Sequence, residues 1–144
     1  MNGLVLSLIV PLAASTPHAH ASDPAPSASH GQLPAQAPFV PPVRPGTVFE
    51  TEFNDMTVTG WTERNFTGRY EYAGGRIEGV PSGRTISGYW LQEASRSDCG
   101  TRHSGTQHWG RFTFTVSADG RSFTGQWGDC NDAPHKPWTG QIKQ

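Results

Sequence analysis

The chain reads as all-β: an eight-stranded, up-and-down antiparallel barrel with one disulfide, the same strands folded as a two-sheet sandwich being the alternative. Three observations predict this. First, a five-residue pattern of bulky apolar, x, Gly, x, bulky apolar recurs: Phe66-Thr67-Gly68-Arg69-Tyr70, Ile86-Ser87-Gly88-Tyr89-Trp90, Phe123-Thr124-Gly125-Gln126-Trp127 and Trp138-Thr139-Gly140-Gln141-Ile142, with Ile77-Glu78-Gly79-Val80 as a shortened copy. Residues two apart on a strand share a face, so each copy sets two bulky groups and a glycine on one side and mostly polar groups on the other. Second, no stretch beyond the amino terminus carries apolar residues at helical spacing, and glycine, which costs a helix about 1 kcal/mol against alanine, punctuates every segment. Third, most connections are short and rich in Gly, Asn, Asp and Pro, as tight hairpins need.

The elements follow in order. Residues 4–14 are a short apolar run, too short for a spanning helix of roughly 20 residues. Ala19-His20-Ala21 follows as a small-x-small cleavage pattern, so residues 1–21 are expected to be a secretory signal peptide, although the segment ahead of the apolar run has no Lys or Arg. Residues 22–46 are rich in Pro, Ala and Ser and read as an extended, disordered linker. The barrel domain is then 47–144, with strands expected near 47–53, 56–60, 65–72, 76–80, 84–92, 108–116, 122–128 and 137–143. A flat sheet of these strands would leave its apolar face and two edges exposed, whereas closure removes both problems. Strand parity then points Phe49, Phe53, Met56, Tyr70, Tyr72, Trp90, Trp127 and Trp138 inward, with Gly60, Gly68, Gly88, Gly110 and Gly140 on the same face. Trp109 is out of phase and is expected outward or in the loops; Trp61 falls at a turn.

The strands FTGRYEYAGG, ISGYW and WTGQIK resemble those of avidin- and streptavidin-type barrels, and of small exported bacterial β-domains. The resemblance covers most of residues 56–143 and implies a barrel fold. The biotin-binding signature of the avidin family is absent from this chain, so no binding residue carries over.

Two connections are long, 93–107 and 129–136, and one hairpin separates them. In a meander, connections two apart emerge at the same end, so these loops are expected side by side. Cys99 and Cys130, the only cysteines, can then join them, and in an exported protein such a pair reads as a disulfide. The loops hold Asp98, Arg102, His103, His108, Asp129, Asp132, His135 and Lys136. His103, His108 and His135 are the weak candidates for metal ligands, at spacings that match no zinc motif. His108 beside Asp129, with Ser104 nearby, is the sole candidate acid–base arrangement. The plain alternative is that these groups satisfy the loop backbones and one another.

The near-zero net charge of −1, without a basic stripe or basic amphipathic helix, argues against nucleic-acid and membrane-surface roles. The expectation is a secreted or periplasmic, non-catalytic binding module without a cofactor. It would contact a partner, such as an extracellular enzyme to be inhibited, through loops 93–107 and 129–136. The binding set is Tyr72, Trp90, Arg102, His103, His108, Trp109, Trp127, Asp129 and His135. The alternatives are a small-ligand carrier using Tyr72, Trp90, His108 and Trp127 at the barrel mouth, and a metal-dependent or hydrolytic enzyme using the loop histidines.

Overall fold

The computed structural model of the protein describes residues 38–144. The expected signal peptide and residues 22–37 of the expected linker lie outside the described residues. The strands are β1 (Val48–Thr51), β2 (Asn54–Trp61), β3 (Phe66–Tyr70), β4 (Gly75–Ser82), β5 (Thr85–Gln92), β6 (His108–Val116), β7 (Ser122–Asp129) and β8 (Lys136–Ile142). Each pairs antiparallel with the next, and β8 returns to β1 through Phe49 opposite Ile142, closing the barrel.

Closure works because the inward face is a lattice of rings. Phe49 meets Phe123 edge-on at 5.4 Å, and Trp138 meets Phe114 at 4.9 Å and Tyr70 at 5.3 Å. Burying one such side chain contributes about 1.5–3 kcal/mol. The glycines of the repeat make room for them. A Cβ on Gly140 would collide with the Phe123 ring, and one on Gly110 would meet Trp90 Nε1 at 2.5 Å. That clearance lets the Trp90 indole N–H donate to the Gly128 carbonyl at 2.9 Å. The buried Tyr70 hydroxyl is pushed above its ordinary range by burial, against the opposing pull of a hydrogen bond with Gln92.

Four sequence expectations are corrected. Trp61 is not a turn residue: it ends β2 buried, 5.1 Å from Phe66. A bulge between Val58 and Gly60 adds a residue to β2, which turns Trp61 inward and sets Gly60 opposite outward-facing Thr67. Tyr72 is not a strand residue but starts a 3₁₀ turn, Tyr72–Gly74, in which Ala73 and Gly74 have φ of 51° and 61°. The ordered domain also reaches back past residue 47. Val43 is buried in the core, the Gly46 N–H donates to the Val58 carbonyl at 2.8 Å, and Pro42 lies against Gly120. This leading segment closes the pole where the tight turns 62–65, 83–84 and 117–121 gather.

Candidate functional site

The opposite pole is the mouth, formed by the connections after β1, β3, β5 and β7. The two long connections meet there. Cys99 and Cys130 form a disulfide across 31 residues, with Cα atoms 5.4 Å apart. The Cys99 N–H donates to the Gln107 carbonyl at 3.0 Å and the Cys130 N–H to the Trp109 carbonyl at 2.9 Å, so backbone bonds hold both arms of the bridge.

The first long loop divides in two. Its leading half stays at the mouth, where Ser95, Arg96 and Ser97 line a cavity of about 210 Å³. Its trailing half folds over the outer wall. There the Trp109 indole N–H donates to the Thr101 carbonyl at 2.9 Å, and His103 stacks on Tyr89 with centroids 4.0 Å apart. His103 Nε2–H donates to Glu78 Oε1 at 3.1 Å, Ser104 Oγ–H donates to the same oxygen at 2.6 Å, and Arg76 donates to the Ser104 carbonyl at 3.2 Å. Leu91 and Trp109 are buried beneath this half-loop as a small core separate from the barrel interior.

The mouth cavity is walled by Phe53, Tyr72, Trp90, Trp127 and Trp138 and carries Gln92, Asp129 and Lys136 on its polar side. The rings cross at steep angles: Phe53 meets Trp138 at 4.9 Å and Trp127 at 5.5 Å, and Trp90 meets Trp127 at 5.8 Å. Lys136 Nζ stands 4.3 Å from the Trp127 ring centre and donates to Asp129 Oδ2. Ser97 Oγ–H donates to Asp129 Oδ1 at 2.9 Å. Burial would raise the Asp129 carboxyl, but the Lys136 and Ser97 hydrogen bonds outweigh it and hold the group below its usual range. Asp129 and Lys136 are therefore a closed ion pair at neutral pH. Arg96, exposed at the rim, has no carboxylate partner among the described residues. Trp138 is 1 % exposed, and its indole N–H has no acceptor.

Of the residues singled out from the sequence, Tyr72, Trp90, Trp127 and Asp129 line this cavity. Arg102, His103 and Trp109 belong to the outer-wall half of the loop, where Arg102 donates to the Gly105 carbonyl at 3.1 Å. His108 Nδ1–H donates to the Ser97 carbonyl at 3.1 Å and His135 Nδ1–H to the Ala133 carbonyl at 2.9 Å. The three histidines thus serve separate loop contacts, and among the described residues no group of three His, Cys, Asp or Glu side chains could hold a metal ion. The expected His108–Asp129 pair is replaced by Asp129–Lys136, and Ser104 donates to Glu78 instead of to a histidine.

Sequence reasoning missed Gln92, Arg96 and Lys136 as cavity residues. Parity could have found two of them, since Gln92 is two residues beyond Trp90 and Lys136 two before Trp138 on the inward face. Among the described residues no helix is long and apolar enough to cross a membrane. No protein-family model, curated protein or solved structure matches the chain.

Proposed function

We propose that the protein is an exported, non-catalytic binding module whose mouth cavity holds one small, ring-sized ligand. The observation that carries this is the cavity of about 210 Å³ walled by five aromatic side chains. An apolar cavity of about 150 Å³ suffices to hold benzene, so this one fits a single ring with a small substituent. The reading draws weight away from a protein contact through the tied loops, because His103 and Trp109 are consumed in holding half of loop 93–107 to the outer wall. The disulfide accords with an oxidising compartment and so with export.

The test is a titration of the purified protein with monocyclic aromatic fragments, followed by the indole N–H resonances of its tryptophans. Saturable shifts of Trp90, Trp127 and Trp138, with Trp61 unmoved, are expected. Shifts of Trp109 alone, or none at millimolar fragment, would overturn the reading.

A further inference from the structure

Resting on the ring-sized cavity just described, we infer that its ligand is an anion: a monocyclic arene or similar flat apolar body bearing a carboxylate-like group. The charges at the mouth decide the sign. Lys136 and Asp129 cancel each other, and Asp129 is saturated further by Ser97. What is left is the Arg96 guanidinium at the rim, on a half-loop that the disulfide fixes in place. Guanidinium groups match carboxylates in a planar two-bond geometry, and such bonds are among the stronger ones.

Of the three charged side chains that line the cavity, Asp129 and Lys136 pair with each other. A ligand with its ring against Phe53, Trp90 and Trp127 therefore has the Arg96 guanidinium as its one unpaired charged neighbour. A cationic ligand meets a like charge there. An aromatic cage of this kind would suit an ammonium group, but the Lys136 ammonium already occupies the Trp127 face and neutralises the one carboxylate.

Three isosteric probes test the sign: benzoate, benzamide and benzamidinium, each titrated into the purified protein by calorimetry. Benzoate is expected to bind tightest, about tenfold or more over benzamidinium, and its advantage should shrink as salt screens the exposed Arg96. Arg96→Gln should bring benzoate down to the level of benzamide and leave benzamide unchanged. Equal binding of benzoate and benzamide, or benzoate unaffected by Arg96→Gln, defeats the anion inference and leaves the ring-sized site standing. Preference for benzamidinium defeats it in favour of a cation cage. Failure of all three probes defeats both readings together.

Discussion

At one pole the barrel is sealed by its own chain, with Val43 driven into the core between short turns and β2 bulged so that Trp61 also points inward. At the other, five rings crowd the opening without filling it, and the space above them is framed by loops held by a disulfide and by side-chain bonds. Both poles bury a tryptophan whose indole N–H has no partner, Trp61 at the sealed end and Trp138 at the mouth. The difference is the walls. Trp138 adjoins a cavity shared with Phe53, Tyr72, Trp90 and Trp127, whereas Trp61 adjoins an open surface pocket lined by Phe39, Pro41, Thr62, Glu63 and Arg64. The same strand repeat can therefore end in a plug or in a socket, and the connections determine which.

The largest effect should come from the staple. Replacing Cys99 and Cys130 with serine removes a cross-link across 31 residues, which corresponds to about 3–4 kcal/mol in the chain-entropy model. Urea unfolding should show that loss. Hydrogen exchange in the surviving native state should speed up in residues 93–107 and stay slow around Val43; uniform acceleration would erase the distinction between the poles. Val43→Ala should cost about 2 kcal/mol, as expected for a truncated buried aliphatic side chain, while the affinity of the mouth for a ring-sized probe stays unchanged. A fall in that affinity would mean that the two ends are coupled.

A smaller effect is expected from Trp61→Phe, which deletes an unpaired donor at the sealed pole but also part of the ring that packs on Phe66. The two changes oppose each other, so its unfolding free energy should stay within about 1 kcal/mol of the parent, and its probe affinity should equal that of the parent. The smallest effect is on the pH profile. Asp129 titrates below the ordinary carboxyl value in the folded chain, so it stabilises the fold above the unfolded-state value. That contribution disappears as pH falls through the folded value. Asp129→Asn should flatten the stability profile below about pH 4 relative to the parent. A steepened acid limb would show that Asp129 is not held by Lys136 and Ser97 in solution.

The strand order and the barrel's closure were legible in the sequence because the signal is local: alternation and inward glycines repeat strand after strand. The disulfide was legible because strand count fixes which loops share a pole. The bulge in β2 was not, since one extra residue among Thr59, Gly60 and Trp61 leaves each residue type plausible on either face. Nor was the draped half-loop, which depends on Glu78 standing on the outside of β4 to receive His103 and Ser104 from a distant part of the chain. Val43 was hidden by its neighbours, because a proline-rich stretch reads as tether until the core it completes is known. The cavity itself is a volume left over after rings pack, and no residue pattern encodes a remainder.

The direction of the strands has one more implication. The chain enters β1 from the sealed pole and leaves β8 at the same pole, where the Ile142 N–H bonds to the Arg121 carbonyl. Both ends of the domain therefore lie on the side away from the socket. An immobilising tag joined to residue 144 would attach at the pole opposite the mouth, so the domain can be fixed to a surface there and still present its opening outward.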